Sequence, residues 1–411
     1  MEKDYTRIDK CPITHDKKKV KYFDLGNIPL VNNLCNTQEE AINCKKYPLS
    51  INFFPNSGES ALEYAVDGEI LFSSYLFKSG VNIPYYKHCQ DMFLYLDNKF
   101  EIEEGSVIMD IGGNDGSLLD AFRSVTNKHL SYLNIDPSNN LTDISREKGI
   151  NTITNFFTYE LAQKINFKAD IITSTNVFQH LKDINGFAAG VELLLNEQGI
   201  WVLEFPYWIN SMETNQFDQI YHEHMYYHSV TPLFQLMKNN GLEILDVIPK
   251  EIHGGTLRLI IGKRGNYHNK SIVVSGYLKE EKKYNLSYHI RWGNKIHKYI
   301  HKCKHSLEIL VNQGKTIYGF GAAAKGCIFL NAMKLDYNSI PFIIDDTDIK
   351  QNKFIPGVGS KVIIRDILLI NPPDYILILA HNFKDYIMTS LRDYGYTGKF
   401  IILVPEFEIY E

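Results

Sequence analysis

Two stretches of this chain repeat the order of apolar run, glycine-rich turn and amphipathic segment, and this order restricts the fold more than any other feature. Val107–Ile111 leads into the first glycine turn, Asp110–Gly116, and Thr316–Phe320 leads into the second, Gly319–Ala324. Short apolar runs separated by helix-length segments predict parallel strands with helices on both faces of the sheet. The sequence therefore predicts the α/β fold class, with two α/β units.

Further apolar runs extend both units. The first continues with Tyr132–Asp136, Ile171–Thr173 and Ile200–Glu204, and the second with Phe342–Asp345, Tyr375–Leu379 and Phe400–Val404. The aromatic and aliphatic spacing of residues 279–313 predicts one or two long helices between the units. Residues 1–80 have short apolar runs between turn residues, which predict a small, loop-rich N-terminal module.

The composition is that of a soluble globular protein. Of the 411 residues, 44% are hydrophobic and 22% charged, and the formal net charge of -5 argues against nucleic-acid binding. No run of about 18 apolar residues occurs, and no apolar core follows the charged start Met1–Tyr5, so we expect neither a membrane span nor a signal peptide. Six scattered cysteines suit reduced thiols. We expect a cytoplasmic enzyme or binding protein with no nucleic-acid or membrane partner.

The first glycine turn has the features of a cofactor loop. It follows a strand and opens a helix, and its glycines let the backbone approach a ligand closely. An acid before the glycines and a second acid at the end of the next strand, placed to bind a ribose, are typical of S-adenosylmethionine sites. The glycine spacing does not fit the dinucleotide motif G-x-G-x-x-G. The alternative is a glycine turn that binds nothing. The candidate cofactor residues are Asp110, Gly112, Asn114, Gly116 and Asp136.

The histidine-rich stretch Phe217–His228 is the second candidate site. It holds three histidines, three tyrosines and Glu223 within twelve residues. Histidine, glutamate and tyrosine together supply a base, an orienting carboxylate and a phenol donor for a developing oxyanion, a set that suits proton abstraction next to a carbonyl. Two alternatives are a metal site, with His222 and His224 on one strand face, and a polar loop with satisfied histidines.

Several motifs follow one another in a characteristic order. They are Asp110–Gly116, Asn176-Val177 with His180, Glu204–Tyr207, Ile220–His224, His253–Arg258, Gly319–Gly326, Pro356-Gly357 and Ala380–Phe383. Together they resemble the sugar C-methyltransferase family of branched deoxysugar biosynthesis, the mycarose- and tetronitrose-type 3-C-methyltransferases. The resemblance spans nearly the whole chain and joins unrelated motifs, so it is more specific than any one of them.

The resemblance implies three domains and a reaction. The domains are an N-terminal zinc-binding module in residues 1–80, a Rossmann-like S-adenosylmethionine domain in 81–245 and a C-terminal α/β domain for the nucleotide-sugar in 246–411. The implied protein is a monomer that methylates C3 of a nucleotide-activated 4-keto-6-deoxy sugar. The C4 carbonyl acidifies the C3 proton, a base removes it, and the enolate attacks the sulfonium methyl.

The resemblance also implies residue roles. His224 is the base, Tyr221 and Glu223 orient it or stabilise the enolate, and Tyr75 and Asn176 line the site. Asn176 also contacts the cofactor. The implied substrate contacts are Tyr75, His180, His253, Lys325 and Asn382.

One departure from the family concerns zinc. The family's N-terminal module binds zinc through two Cys-x-x-Cys pairs. The corresponding positions here hold Cys11 and Thr14 in the first pair, and Phe54 and Ser57 in the second. We therefore expect that zinc is absent, that no metal is bound, and that hydrophobic packing by Phe53 and Phe54 holds the module instead.

The second glycine turn supports a rival function. Gly319–Ala324 satisfies G-x-G-x-x-A after a strand, with Asp345 and Asp346 further on, and alone it predicts a dinucleotide site. The rival is an NAD-dependent oxidoreductase acting on a nucleotide-sugar. We favour the methyltransferase, because Lys325 at the helix start suits a diphosphate and the upstream motifs predict a methyl donor. A non-catalytic nucleotide-sugar sensor is a third alternative, although a binding module has no use for a base.

Overall fold

The structure is a computed structural model that describes residues 4–72, 83–267 and 272–411. Its strands, in chain order, are β1 (Tyr5–Arg7), β2 (Val20–Pro29), β3 (Lys46–Phe54), β4 (Glu59–Leu62), β5 (Tyr64–Val66), β6 (Val107–Ile111), β7 (Ser131–Asp136), β8 (Asn151–Thr154), β9 (Ala169–Thr175), β10 (Leu195–Pro206), β11 (Tyr226–Tyr227), β12 (Leu242–Lys250), β13 (Thr256–Lys263), β14 (Ile317–Phe320), β15 (Phe342–Ile344), β16 (Lys361–Ile363), β17 (Tyr375–Ile378), β18 (Lys399–Ile402) and β19 (Glu408–Tyr410). Its helices are α1 (Gln38–Asn43), α2 (Gly68–Phe72), α3 (Ile83–Phe100), α4 (Ser117–Arg123), α5 (Asn139–Glu147), α6 (Tyr159–Ala162), α7 (Ile184–Leu194), α8 (Trp208–Glu213), α9 (Val230–Asn239), α10 (Ile272–Glu280), α11 (Leu286–Asn312), α12 (Ala324–Ala332), α13 (Ile367–Ile370) and α14 (Lys384–Asp393).

The first α/β unit is a sheet in the order β12-β13-β10-β9-β6-β7-β8. Strands β6 to β10 pair in parallel, and β13 runs antiparallel to both of its neighbours. Strands β7 and β8 lie on one side of β6, whereas β9 and β10 lie on its other side. The strand order therefore reverses between β6 and β9. Ligands of open α/β sheets bind at such a reversal, beyond the carboxyl ends of the strands. The first glycine turn follows β6 and therefore lies at this point.

The second α/β unit repeats the plan in the order β16-β15-β14-β17-β18-β19. Its strands are parallel except β19, which pairs antiparallel with β18. The strand order here reverses between β14 and β17, and the second glycine turn follows β14. The predicted α/β fold class is confirmed, and so are two sheets of mainly parallel strands.

The first sheet extends past residue 245, where we predicted its domain to end. Strand β13 pairs with β10 from Ile200↔Gly262 to Pro206↔Thr256, and β12 covers its outer edge. This antiparallel pair follows the last alternation of strand and helix, so the α/β pattern did not indicate it. The division of the chain into three domains stays a prediction.

The N-terminal module is more regular than we predicted. Strands β2, β3 and β4 form an antiparallel sheet, and β11, from the middle of the chain, adds a fourth strand beside β4. Most of β3 and all of β4 are buried, because apolar clusters shared with both α/β units cover them. Buried strands lack the alternation of apolar and polar residues that marks a half-buried strand. The prediction of a loop-rich module was therefore wrong.

Helix α11 joins the N-terminal module to the second α/β unit. Its buried residues recur at helical spacing along one face: His289, Trp292, Gly293, Ile296, Ile300, Cys303 and Leu307. The rings of Tyr22 and Phe53 contact the His289 ring at centroid distances of 4.9 and 4.2 Å. The predicted long helix is confirmed over 27 residues. Neither α11 nor another helix in the described ranges has a stretch long and apolar enough to cross a bilayer.

Candidate active site

The first glycine turn is tightly built against the segment that follows β9. Gly112 has a φ of +73°, and a Cβ at this position would overlap the side chain of Val177. Only glycine combines this left-handed conformation with so close an approach. The turn ends where α4 begins at Ser117. This turn, called the cradle below, therefore packs tightly against the segment after β9 at the strand-order reversal.

Two acids flank this cradle. Asp110 is buried, its Oδ1 accepts a hydrogen bond from the Thr173 hydroxyl at 2.7 Å, and its Oδ2 has no hydrogen-bond partner in the described ranges. Burial raises the pKa of Asp110 to about 7, although the Thr173 bond opposes the shift. Asp136 accepts from the backbone N–H groups of Asn114 and Ser138, both at 2.9 Å, and burial raises its pKa. The cradle and the unpaired acceptor fit a ligand with hydrogen-bond donors, such as the amino and ribose groups of S-adenosylmethionine.

Asn176 and His180 link the cofactor cradle to the histidine-rich stretch. Asn176 follows β9 with a φ of +56°, and its backbone N–H donates to the Glu204 carbonyl oxygen at 2.9 Å. His180 ends the next turn, and its Nδ1 donates to the Glu223 carbonyl oxygen at 2.6 Å. Burial lowers the pKa of His180 to about 4, so the ring is neutral at neutral pH. Both predicted residues therefore lie at the edge of the sheet that carries the cradle.

His224 is fixed in one tautomer. Its Nδ1 donates to the Gln219 carbonyl oxygen at 2.9 Å, and its Nε2 accepts from the Tyr221 hydroxyl at 2.6 Å, an assignment that follows from these two partners. Burial, assisted by the neighbouring His180, holds the pKa of His224 well below its usual value. A neutral imidazole with an unprotonated Nε2 can accept a proton from carbon. The predicted base thus has the protonation state that its role requires.

Glu223, the residue before His224 in the chain, carries a buried carboxyl group. The residue is 4% exposed, and its Oε1 atom accepts a hydrogen bond from Nδ2 of Asn32 at 2.6 Å. Burial raises the pKa of Glu223 to about 7, while the Asn32 bond opposes the shift. Such a carboxyl can donate as well as accept a proton near neutral pH. No motif in the sequence marks Asn32, and we did not predict it.

The other histidines of the stretch have separate structural partners. His222 Nε2 donates to the Tyr47 carbonyl oxygen at 3.3 Å, and His228 Nδ1 lies 2.9 Å from Oε2 of the buried Glu59. Within the ranges described, no three His, Cys, Asp or Glu side chains are grouped so that they could hold a metal ion. The metal hypothesis for this stretch therefore gains no support.

The second glycine turn has the same geometry as the first. Gly321 has a φ of +99°, and a Cβ there would lie 2.9 Å from Cβ of Ala380, which follows β17. Asp345 Oδ2 accepts from the Ala322 N–H at 2.8 Å and from Lys350 Nζ at 3.1 Å. The acid that a dinucleotide needs for its ribose is thus already paired with a cation, which disfavours the rival NAD site.

Lys325 is a buried cation on the first turn of α12. Its Nζ atom has no hydrogen-bond partner within the described part of the chain. Burial lowers its pKa, while the charge of Asp218 opposes the shift. Asp218 is fully buried and accepts from His381 Nε2 at 2.7 Å. The charge of Lys325 also contributes, less than burial and His180 do, to the lowered pKa of His224.

The predicted substrate residue Asn382 lies beside Gly254. A Cβ at Gly254 would lie 2.7 Å from Oδ1 of Asn382 and 2.5 Å from Oε1 of Gln216. His253 lies in the same short turn, Ile252–Gly254. Tyr75, which we predicted to contact the substrate, lies outside the described residues.

Two of the four positions aligned with zinc ligands still meet. The Sγ atom of Cys11 lies 3.2 Å from the Ser57 hydroxyl. Phe54 is buried in the same apolar cluster as Cys11, and Phe53 is buried against the His289 ring. This packing agrees with the expectation that apolar contacts hold the module, while the absence of zinc stays a prediction.

Comparisons with known proteins show similarity to methyltransferases along nearly the whole chain. Residues 87–247 match the family model of a methyltransferase domain, and residues 251–405 match that of a C-methyltransferase C-terminal domain. The C-methyltransferase NovU of Streptomyces niveus is 26% identical over 406 residues, which cover 97% of this chain and 96% of that protein. This chain belongs to the C-methyltransferase family. Its cofactor is S-adenosylmethionine, as we predicted.

Solved methyltransferase structures are similar to part of this C-methyltransferase. The magnesium protoporphyrin IX methyltransferase of Synechocystis PCC 6803, with bound S-adenosylmethionine, is 14% identical, covers 45% of this chain and 82% of its own, and has a TM-score of 0.34. An S-adenosylmethionine-dependent methyltransferase of Clostridium acetobutylicum ATCC 824 is 13% identical, covers 44% and 92%, and has a TM-score of 0.35. Similarity at this level carries no argument about the site.

Proposed function

We propose that this C-methyltransferase methylates C3 of a nucleoside diphosphate 4-keto-6-deoxy sugar. The observation that carries the proposal is His224, a neutral imidazole held between the Gln219 carbonyl and the Tyr221 hydroxyl. Methylation of a carbon next to a carbonyl needs a base that removes a proton from that carbon, and His224 suits this task. The sugar and the position of attack follow from the family resemblance of the sequence.

Three features of the cradle would hold the cofactor. Bound S-adenosylmethionine supplies an electrophilic methyl group. Asp136 would accept from its ribose hydroxyls, because each carboxylate oxygen has a second lone pair beyond its bond to Asn114 or Ser138. Gly112 lets the backbone approach the cofactor, Asp110 lies near the end of β6, and Asn176 directly follows β9.

His224 and Tyr221 would divide the work of enolisation. The C3 proton, acidified by the C4 carbonyl, passes to Nε2 of His224 while the Tyr221 hydroxyl turns from Nε2 to the C4 oxygen. The electron pair of the C3–H bond would then form the bond to the methyl carbon as the bond from that carbon to sulfur breaks, which would leave S-adenosylhomocysteine and restore the C4 ketone. The Gln219 carbonyl oxygen holds the Nδ1 proton throughout and stabilises the imidazolium.

Lys325 would bind the diphosphate of the substrate. Its buried Nζ lies at the start of a helix and has no partner in the described ranges, so an anion would offset a buried charge that is otherwise unfavourable. Its electrostatic effect on His224 supports a sugar that extends from the diphosphate towards the base. His180, Asn382 and the turn that carries His253 would complete the contacts.

Turnover of dTDP-4-keto-6-deoxyglucose with S-adenosylmethionine, with the product examined by NMR, tests the proposal. We expect a methyl group on C3, and a loss of about 10²- to 10⁴-fold in kcat for His224→Ala with unchanged affinity for S-adenosylhomocysteine. His222 bonds to the Tyr47 carbonyl oxygen and not to Tyr221, so the control variant His222→Ala should retain most activity. A methyl group on C5, or full turnover by His224→Ala, would contradict the proposal.

Calorimetric titration separates the rival functions. Binding of S-adenosylhomocysteine without binding of NADH agrees with the methyltransferase, and NADH binding would favour the oxidoreductase. A nucleotide-sugar that binds without any turnover would favour a sensor.

The monomeric state stays a prediction that light scattering of the purified chain can test, and the cytoplasmic location also stays a prediction.

A further inference from the structure

The N-terminal module contacts about half of the residues in the histidine-rich stretch Phe217–His228. Strand β11 pairs with β4, and the Leu62 N–H donates to the Met225 carbonyl oxygen at 2.9 Å. His228 bonds to Glu59, and His222 to the Tyr47 carbonyl. The module therefore forms one wall of the stretch that carries the base.

Asn32 is the module residue that reaches a predicted catalytic side chain. It lies in the turn after β2, next to the buried Val31. The Asn33 N–H closes this turn by donating to the Leu30 carbonyl oxygen at 3.3 Å. From there its Nδ2 donates to Oε1 of Glu223 at 2.6 Å.

Among the described residues, no lysine or arginine forms an ion pair with Glu223, and the Asn32 amide is the group that opposes the effect of burial on its pKa. Its ionisable neighbours are His180, which bonds its carbonyl oxygen, and its chain neighbours Tyr221, His222 and His224. Burial lowers the pKa of His180 and of His222 to about 4 and holds that of His224 well below its usual value, so all three rings are neutral at neutral pH. From the module, the Asn32 amide and the Tyr47 carbonyl face the stretch, and both are uncharged.

We propose that Asn32 is a positioning residue for methyl transfer, which occupies Oε1 of Glu223 and so makes Oε2 the oxygen that exchanges a proton beside the substrate. The proposal rests on the proposed role of Glu223 in the reaction. An amide donor occupies one carboxyl oxygen whether or not the acid is protonated, so the proton of neutral Glu223 resides on Oε2. A neutral carboxyl held in this way donates a hydrogen bond to the developing enolate oxygen.

Two substitutions at Asn32 and matched changes at its exposed neighbour Asn33 test the proposal. The readouts are the titration of the Glu223 carboxyl by ¹³C NMR, assigned with Glu223→Gln, and the pH profile of kcat. In Asn32→Leu we expect the Glu223 midpoint to rise, because a donor to the charged form is lost, and kcat to fall about 10- to 100-fold. The KM and the affinity for S-adenosylhomocysteine should stay within about twofold, since Asn32 belongs to neither of the proposed binding sites.

Asn32→Asp keeps the size of the side chain and therefore guards against a variant that fails to fold. Two adjacent carboxyls share a proton, so the Glu223 midpoint should rise further, and kcat should recover as the pH falls and the introduced carboxyl becomes a donor. Asn33→Leu and Asn33→Asp should change neither readout.

Each outcome decides between the two proposals. An unmoved Glu223 titration in both Asn32 variants, or equal changes in the Asn33 controls, would overturn the role of Asn32. A moved titration together with no wild-type turnover of 4-keto sugars would support the Asn32–Glu223 coupling and overturn the proposed reaction instead.

Discussion

The carboxylate of Asp136 accepts a hydrogen bond from the backbone N–H of Asn114 at 2.9 Å, which ties the acid that ends β7 to the loop that follows β6. The second α/β unit has the same relationship between Asp345 and Ala322, at 2.8 Å. Asp345 is also paired with Lys350, whereas no lysine or arginine pairs with Asp136 in the described ranges. Of these two acids, Asp136 alone is therefore available to a ribose.

The two acids give a matched pair of substitutions. Asp136→Ala should weaken S-adenosylhomocysteine binding about 10- to 100-fold, because hydrogen bonds to a charged acceptor are each worth about 1.5–3 kcal/mol. Asp345→Ala removes the equivalent acid of the other unit and should leave that affinity unchanged. Calorimetry measures both, and similar losses in the two variants would remove Asp136 from the ribose site.

A second pair of variants isolates the close approach at the cradle. Gly112 and Gly105 both have positive φ, but a Cβ at Gly105 has no atom within 4 Å. Either change to alanine should lower the free energy of unfolding by about 1–2 kcal/mol through the left-handed conformation. Gly112→Ala alone should also displace Val177 and weaken S-adenosylhomocysteine binding by about tenfold or more. Unaltered cofactor affinity in Gly112→Ala would show that the cradle is not the binding surface.

Local patterns explain which parts of this protein could be predicted. The strands β6 and β14 carry an apolar run followed by glycines, and Tyr221 and His224 lie three positions apart, so the sequence places each of these features together. Asn32 and Glu223 are separated by 191 positions, and no local pattern can signal their contact. That contact exists because apolar clusters pack the N-terminal module against both α/β units, which is a property of the whole chain.

Glu281 stabilises the start of helix α9 from a distant segment. Its Oε1 accepts from the Val230 N–H at 2.8 Å and the Tyr207 hydroxyl at 2.9 Å, and its Oε2 from the Thr231 N–H at 2.6 Å. Glu281→Gln should lower the free energy of unfolding by about 1–3 kcal/mol, because an amide loses one acceptor and the charge that favours a helix N-terminus. Glu280 pairs with Lys283 on the surface, so Glu280→Gln should change the free energy of unfolding by less than about 0.5 kcal/mol in urea titrations. A loss in Glu280→Gln as large as that in Glu281→Gln would contradict this.

Glu204 should make the stability of the fold depend on pH. It is buried between Arg258 Nε at 2.6 Å and His88 Nε2 at 2.8 Å. Burial alone would raise the pKa of Glu204, but Arg258 and His88 outweigh it and hold the pKa at about 2. Because this value lies below the unfolded one, the stabilisation is complete above about pH 5 and is lost as the pH falls towards 2.

Urea titrations of Glu204→Gln across this range measure the effect. The variant should be less stable than the wild type by about 3–5 kcal/mol at pH 7, since a buried arginine loses its partner. The difference should shrink by about 3 kcal/mol between pH 5 and pH 2, as the pKa shift requires. Glu308→Gln, on the exposed side of α11, should show no such trend. A stability difference between wild type and Glu204→Gln that does not change with pH would mean that Arg258 and His88 do not lower the pKa of Glu204 in the folded protein.

Strand β11 comes from the middle of the chain but completes the sheet that the N-terminus begins. The module is thus joined to the catalytic stretch by backbone groups, including the Tyr47 carbonyl oxygen, which other residues could supply equally well, and by the side chains of Asn32 and Glu59, which a substitution would change. A chimaera that takes its N-terminal module from a relative would keep the backbone pairing yet exchange these partners. We expect such chimaeras to fold and to differ in turnover, so the module becomes a place where evolution or an engineer can adjust the catalyst without altering its cofactor site.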